Sequence, residues 1–239
     1  MLCIVLGQQL TQQLTQQLLA LTMINWYEFF TFAVMCSLCS VCFPLPLSVY
    51  YQHVQNTGTK YRNSGVVSLV VVHPILFSIV RSTTHTIVNK SFDTFYTNTF
   101  RDFPMIFAAI LMQDTLFYWL HYLLHCKWFY GIHKTHHTEH DPTVWSTFHA
   151  SVREMLLCNC ITMIVPAVVC NLGYVSFGIF QASLLCRAIR AHTKPHIKSN
   201  DSMSHMTADF HHTHHKYGNC NYGGFHFVFW DQLMNTVRM

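Results

Sequence analysis

Eight histidines fall in three short clusters, and their spacing marks them as the residues most able to do chemistry. The clusters read His-x3-His, His-x2-His-His and His-x2-His-His, and their members are His121 and His125, then His133, His136 and His137, then His211, His214 and His215. Residues three and four apart lie on one face of a helix, so each cluster can direct its imidazoles at a common point. One tetrahedral zinc ion takes four ligands, and eight imidazoles therefore predict two metal ions.

The residues around the clusters narrow the kind of site. Neutral imidazole suits zinc, copper, iron and nickel, and no Asp or Glu lies inside a cluster as it would in the H-E-x-x-H of a metalloprotease. Asp114 shares a helical stripe with Tyr118, His121 and His125. A carboxylate in an apolar segment needs a partner, so we predict that Asp114 holds a ligand imidazole from behind, with a helix-end Asp that reaches water as the alternative.

Two further histidines are candidate ligands because they lie in polar stretches on either side of a long apolar segment. These are His149 and His192. Isolated histidines such as His53 and His73 are more simply interpreted as structural residues.

The composition is that of a membrane protein. Of the 239 residues, 51% are hydrophobic and only 10% are charged, against roughly 25% charged in an ordinary soluble domain. The net charge is +4, and the basic residues form no stripe of the kind that binds nucleic acid, so no nucleic-acid partner is expected. The sequence predicts an all-α integral membrane helical bundle that carries a histidine-rich metal site on its cytosolic side.

Apolar segments divide the chain into an N-terminal amphipathic segment (1–28), an N-terminal transmembrane region (29–102) and a domain with the three histidine clusters (103–239). Residues 29–51 and 103–124 are long enough to cross a hydrocarbon core, which needs about 20 residues. Residues 64–80 form a shorter run that His73-Pro74 interrupts.

Residues 155–186 are uncharged and too long for one straight span. The third histidine cluster follows this segment and the first two precede it. All three can meet only if the chain returns to the same side, so we predict a helical hairpin that turns near residues 165–173.

Basic residues surround the clusters and place them in the cytosol under the positive-inside rule. They are Lys127, Lys134, Arg153, Arg187, Arg190, Lys194, Lys198 and Lys216. The loop 81–102, which carries three basic residues of its own, is the exception because it would lie on the opposite side.

The order and spacing of the clusters, the hydrophobic hairpin, and the segments Asn219-Cys-Asn-Tyr-Gly223 and Trp230-Asp231 after the third cluster resemble the fatty acid hydroxylase/sterol desaturase superfamily. The resemblance covers about residues 110–236, and within the superfamily the sequence looks like a hydroxylase of the sterol 25-hydroxylase type. The sequence departs from the family pattern near His149, where a proline is missing and the glutamate is shifted to Glu154, and at His192, which Thr193-Lys194-Pro195 follow.

The resemblance implies a membrane-bound, non-haem di-iron oxygenase, with the eight clustered histidines as iron ligands. Such an enzyme uses O2 to attack an unactivated C–H bond of a membrane lipid. NAD(P)H supplies the electrons through external carriers, a reductase and often cytochrome b5. A multi-pass protein of the endoplasmic reticulum is expected, with hydroxylation of a sterol as the activity.

Three other functions remain open from the residues alone. A sterol desaturase or methyl-sterol oxidase would use the same clusters. A non-enzymatic metal transporter or metal-buffering membrane protein would place its ligands near the bilayer midplane on several helices. A haem protein is disfavoured because haem takes two axial ligands, not eight.

The predicted sidedness makes a testable claim about two glycosylation sequons, Asn89-Lys-Ser91 and Asn200-Asp-Ser202. If the clusters face the cytosol, Asn89 lies in the lumen and Asn200 does not. In a glycosylating cell we expect a glycan at Asn89 only, read as a glycosidase-sensitive mass shift that Asn89→Gln removes. Sugar at Asn200 would place the metal site in the lumen and contradict the topology.

Overall fold

The computed structural model describes residues 26–56, 60–79, 99–194 and 207–238, together with Gln12. Within these ranges the chain consists of helices and turns, without a β-strand. The prediction of an all-α fold is confirmed. Nearly all of segment 1–28 and both sequon asparagines lie outside the described residues.

The helices that the described residues form are numbered here in chain order. They are α1 (Trp26–Cys42), α2 (Pro44–Val54), α3 (Arg62–Val67), α4 (Thr99–Leu124), α5 (Tyr130–His133), α6 (Val152–Glu154), α7 (Thr162–Val169), α8 (Tyr174–Ala191), α9 (Ala208–Tyr217) and α10 (Phe229–Leu233). Two π-helical segments, Ser68–Val72 and Met155–Ile161, continue α3 and α6, and short 3-10 turns occupy His136–Thr138 and Ser146–Phe148.

Four helical stretches are long and apolar enough to cross a membrane. They are Ala33–Val54, Arg62–Ile79, Asp102–Leu124 and Val152–Val169. Large apolar side chains project outward from these stretches at helical spacing, as Val34, Leu38 and Val41 do on α1. Such stripes suit contact with lipid, so the predicted integral membrane bundle is confirmed.

The predicted interruption at His73-Pro74 is absent, because the helix continues through residues 73–79. Pro74 has no N–H to donate to the carbonyl of Val70 four residues earlier. The π-helical segment Ser68–Val72 lies at this point, and Ser37 on α1 donates its hydroxyl to the Val70 carbonyl at 2.9 Å. The side chain of a neighbouring helix thus satisfies the carbonyl that proline leaves free.

The chain after the second cluster forms a hairpin whose turn occupies residues 170–173, within the predicted turn. The first arm ends with α7, which packs on α4, and the second arm is α8, which packs on α1, α2 and α4. Gly178 allows the close approach of α8 to α1, since a Cβ there would lie 2.9 Å from Cys39 Sγ. Because α8 runs back along the bundle, its end lies beside the first two histidine clusters.

Candidate metal centre

Helix ends and short turns carry all the clustered histidines. His121 lies in the last turn of α4, and His125 follows directly after that helix. The second cluster occupies the end of α5 and the 3-10 turn after it. The third cluster lies on α9, which begins where the Thr207 side chain accepts the Phe210 amide proton and ends at Gly218 in the left-handed conformation (φ 72°).

The structure brings nine of the described histidines together in two groups, within each of which the candidate ligand atoms lie within 4.8 Å of one another. Site A consists of His121, His125, His133, His137 and His214. Site B consists of His136, His192, His211 and His215. The adjacent residues His136 and His137 contribute to different sites, so the second cluster joins the two groups.

Three imidazoles of site A are oriented by hydrogen bonds from Nδ1 to an oxygen atom. The pairs are His121 Nδ1 with the Tyr222 carbonyl, His214 Nδ1 with the Cys220 carbonyl, and His133 Nδ1 with Glu154 Oε1, each at 2.7 Å. A carbonyl oxygen only accepts, so Nδ1 carries the proton in His121 and His214. Their Nε2 atoms therefore present a lone pair to the centre of the site.

Site B is built in the same way. The Nδ1 atoms of His192, His215 and His136 lie 2.8, 3.0 and 3.4 Å from the backbone carbonyls of Ala188, Glu139 and His149. Ala188 precedes His192 by one helical turn, and α8 itself thereby orients the ligand at its C-terminus. These Nε2 atoms also present lone pairs.

The ring nitrogens face one another at distances that suit a metal ion. In site A, His133 Nε2 lies 2.9 Å from His121 Nε2 and 3.0 Å from His137 Nε2. A metal–nitrogen bond of ~2.0–2.1 Å places neighbouring ligands about 2.9 Å apart at right angles and about 3.4 Å apart at the tetrahedral angle. Two lone pairs cannot hydrogen-bond to each other, so this arrangement fits a shared cation.

Site B shows the same separations, since His211 Nε2 lies 3.1 Å from His192 Nε2 and from His215 Nε2, and His192 Nε2 lies 3.4 Å from His136 Nε2. In site A, His125 Nε2 is buried and has no hydrogen-bond partner among the described residues. Both donor sets therefore fit a metal ion.

Burial keeps these imidazoles neutral, because desolvation disfavours the imidazolium form and neighbouring imidazoles disfavour it further. Desolvation lowers the pKa of His136 to about 4, of His137 to about 3 and of His125 to about 2. The same causes hold the pKa values of His211 and His215 well below the usual range. At neutral pH the lone pairs are free for metal binding.

Two of the predicted site residues lie elsewhere. His149 belongs to neither group, and its ring stacks on Tyr61 with the ring centroids 4.1 Å apart. Asp114 does not hold a ligand imidazole as expected. Its carboxylate accepts the backbone N–H groups of His226 and Phe227 at 3.2 and 2.7 Å, because the segment after the third cluster crosses α4 there with amides that need an acceptor.

Glu154, and not Asp114, is the carboxyl that holds a ligand imidazole. Its carboxyl is buried and binds His133 Nδ1, and the side chain of Ser151 begins its helix by accepting the Glu154 amide proton. The displaced glutamate after His149 was the signal for this residue. The carboxyl near the second cluster is thus present in this sequence, at a position shifted from that of the family pattern.

The Asp231 carboxylate connects the two segments that carry the family resemblance, residues 219–223 and Trp230-Asp231. Its buried carboxylate accepts the amide protons of Tyr222 and Gly223 at 2.7 Å each and the Thr236 hydroxyl at 2.7 Å. These bonds fix the turn that supplies the Tyr222 carbonyl to His121. Trp230-Asp231 thus supports ligand orientation from behind.

A tyrosine of the N-terminal region supports site B in a similar manner. The Tyr61 hydroxyl donates to Glu139 Oε1 at 2.9 Å, and its ring covers His149. The backbone carbonyl of Glu139 accepts a hydrogen bond from His215 Nδ1, and that of His149 accepts one from His136 Nδ1. Nothing in the sequence pattern linked Tyr61 to the histidine clusters.

We expect two metal ions per folded chain, measured by elemental analysis of protein purified without oxygen. Zinc can replace iron during purification, because it exceeds Fe(II) in affinity for most nitrogen sites. His214→Ala should remove the ion of site A and His211→Ala that of site B, whereas the exposed His53→Ala should retain both. One ion or none in folded wild-type protein would contradict the two-site arrangement.

Loss of the carboxyl behind His133 should weaken metal binding without removing a ligand. We expect Glu154→Leu to lower metal affinity by about 10- to 100-fold, the usual effect of losing such a partner. Glu154→Gln retains an oxygen acceptor for His133 Nδ1 and should lose less metal affinity than Glu154→Leu. Titration against a chromophoric chelator measures both, and equal affinity of Glu154→Leu and wild type would show that this hydrogen bond has no such role.

Comparison with known proteins agrees with this geometry. A model of the fatty acid hydroxylase family matches residues 106–236, more than half of the chain. Methylsterol monooxygenase 2-2 of Arabidopsis thaliana is 27% identical over 139 residues, which are 56% of this chain and 52% of that protein. Methylsterol monooxygenase erg25A of Aspergillus fumigatus is 31% identical over 154 residues, 59% of this chain and 51% of that protein.

The alternative squalene epoxidase of Phaeodactylum tricornutum is 30% identical over 140 residues, 56% of this chain and 40% of that protein. The chain thus spans about half the length of these relatives. No solved structure matches it. The family match contains all three histidine clusters and both ligand groups, and the chain therefore belongs to the fatty acid hydroxylase family.

Proposed function

We propose that this protein is a membrane-bound, non-haem di-iron oxygenase that uses O2 to hydroxylate a lipid, with a sterol as the substrate. The observation that carries the proposal is the pair of all-imidazole groups, which the second histidine cluster joins. Two iron ions held side by side would supply the multi-electron chemistry that O2 activation and attack on an unactivated C–H bond require.

The protein's own residues hold, orient and enclose this centre. His121, His125, His133, His137 and His214 would hold one ion, and His136, His192, His211 and His215 the other. Apolar side chains, among them Phe117, Phe148 and Phe225, line a cavity that five of these histidines also line. They exclude water and place a hydrocarbon group beside the ligands. Gly224 allows this packing, since a Cβ there would overlap the Phe117 ring.

The location of the ligands supports an enzyme over a metal transporter. A transporter binds its ion near the bilayer midplane, often at interrupted helices. Here His121 lies in the last turn of its span, and the second and third clusters lie on short helices and turns outside the four candidate spans. Such a location, at the ends of the spans, would suit delivery of electrons by carriers at the membrane surface.

We further propose that the metal centre faces the cytosol of the endoplasmic reticulum membrane. The basic residues around the clusters favour that side under the positive-inside rule. A reductase that oxidises NAD(P)H, with cytochrome b5 as an intermediate carrier, would then deliver the electrons.

Oxidation of a methyl-sterol is a second candidate reaction, favoured by the methylsterol monooxygenases among the relatives. It begins with the same step, insertion of oxygen into a C–H bond. A sterol desaturase would instead abstract a second hydrogen atom from the substrate, so that a double bond forms and no oxygen atom is added.

Lipid profiling of cells grown in ¹⁸O2 tests the proposal. We expect wild-type protein to generate a lipid that contains one ¹⁸O atom, His136→Ala to generate none, and the exposed His53→Ala to match wild type. A dehydrogenated lipid without ¹⁸O would favour the desaturase reaction. No oxidised lipid from metal-loaded protein supplied with reductase would contradict the proposed oxygenase.

A further inference from the structure

Three residues that line the cavity beside the metal site each have a buried polar atom without a partner. The atoms are Thr147 Oγ1, Glu154 Oε2 and His211 Nδ1, and none of them makes a hydrogen bond among the described residues. Buried polar atoms are nearly always paired in native proteins. A polar group is therefore expected in the cavity, beside the hydrocarbon group that is to be oxidised.

The three atoms complement one another. His211 Nε2 faces the rings of His192 and His215, so Nδ1 carries the proton and is a donor. Glu154 binds His133 Nδ1 through Oε1, which leaves Oε2 for a second hydrogen bond. The Thr147 hydroxyl can donate and accept. Such a set suits a water molecule, because buried water usually makes two to four hydrogen bonds to polar groups.

The cavity is small, about 60 Å³. One water molecule needs roughly 10–15 Å³ by the same measure, so the space holds a few atoms and not a whole lipid. Phe148, Met163 and Leu185 are part of its apolar wall. Water held by the polar atoms would therefore lie close to the metal-site histidines that line the same space.

The proposed reaction needs protons in this cavity. Hydroxylation breaks the O–O bond, inserts one oxygen atom into a C–H bond and releases the other as water, with two electrons and two protons consumed. The Nδ1 protons of His121, His136 and His192 are already donated to backbone carbonyls. Another group must carry protons from the solvent to the oxygen.

Thr147 is placed for that role. Of the described residues that line the cavity, it alone carries a hydroxyl group. It is half-buried and lies in the 3-10 turn Ser146–Phe148, outside the four candidate spans. A hydroxyl group can accept a proton from one neighbour while it donates its own to another, so Thr147 connects the cavity with the membrane surface.

We propose that the Thr147 hydroxyl and Glu154 Oε2 hold a water molecule in the cavity, and that Thr147 passes protons through this water to the oxygen reduced at the metal site. This inference rests on the proposed oxygenase function, which supplies the O2 and the electrons, and the solvent supplies the protons. Without the hydroxyl, reduced oxygen would leave the site and be released as H2O2 with protons from bulk water.

Azide binding to the purified, iron-loaded and oxidised full chain tests the hydrogen bond without turnover. Azide is a small anion that binds ferric iron, and an absorption titration measures its affinity. We expect Thr147→Val to weaken azide binding about tenfold, the lower end of what a hydrogen bond to a charged group contributes. Thr147→Ser retains the hydroxyl and should bind azide as wild type does.

Turnover with reductase and the lipid that ¹⁸O labelling identifies tests proton delivery. We expect Thr147→Val to form product about 100-fold more slowly, the lower end of the usual contribution of positioned proton transfer, and to release H2O2 in its place. Thr147→Ser should recover product formation and suppress H2O2. A purely structural role of Thr147 would leave the ratio of H2O2 to product unchanged.

Thr143→Val is the matched control. Thr143 Oγ1 is also buried without a partner among the described residues and belongs to the same loop, but Thr143 does not line the cavity. This variant should match wild type in azide affinity and product formation. Both valine variants replace a hydroxyl with a methyl group of similar size, and a metal content of two ions per chain confirms that each has folded.

Wild-type azide affinity in Thr147→Val, including no measurable binding by either protein, would overturn the inference. Unchanged product formation without added H2O2, or an equal loss in Thr143→Val, would do the same. Failure of the proposed function is distinct, because wild type would then incorporate no ¹⁸O into any lipid. Incorporation that is equal in wild type and Thr147→Val would retain the function and lose the inference.

Discussion

The structure depends on one electrostatic constraint, the convergence of nine neutral imidazoles in a buried space. Lone pairs that face one another at about 3 Å repel unless a cation lies between them, so the rings need support from behind. For six of the nine rings, a backbone carbonyl or the Glu154 carboxyl provides that support at Nδ1. The oxygen atoms behind the rings are therefore as much a part of the site as the ligand nitrogens.

The arrangement of the helices places those oxygen atoms behind the ligand rings. The hairpin of residues 152–191 returns the chain to the end of α4, and α8 delivers both His192 and the carbonyl that orients it. Asp231 fixes the turn behind His121, and Tyr61 reaches from the N-terminal region to the loop behind site B. Apolar stripes on the outside of the spans keep this polar centre at the edge of a membrane bundle.

The sequence predicted the helical fold, the hairpin and the convergence of the three clusters, because apolar segments and i, i+3/i+4 spacing are local patterns. It did not predict which groups lie behind the ligands. Asp114 shares a helical stripe with His121 but meets backbone amides, and Glu154 carries the carboxyl that binds His133. Contacts of this kind join segments far apart in the chain. The sequence pattern gives no role to His73 for the same reason, since only the tertiary fold places it on the cavity wall.

X-ray absorption spectroscopy of the anaerobically iron-loaded protein tests the account most directly, because it counts ligands at the metal. The structure predicts five imidazoles at one ion and four at the other, so the spectrum should require between four and five imidazoles per iron. Sulfur in the first shell, or only about two imidazoles per iron, would contradict the account.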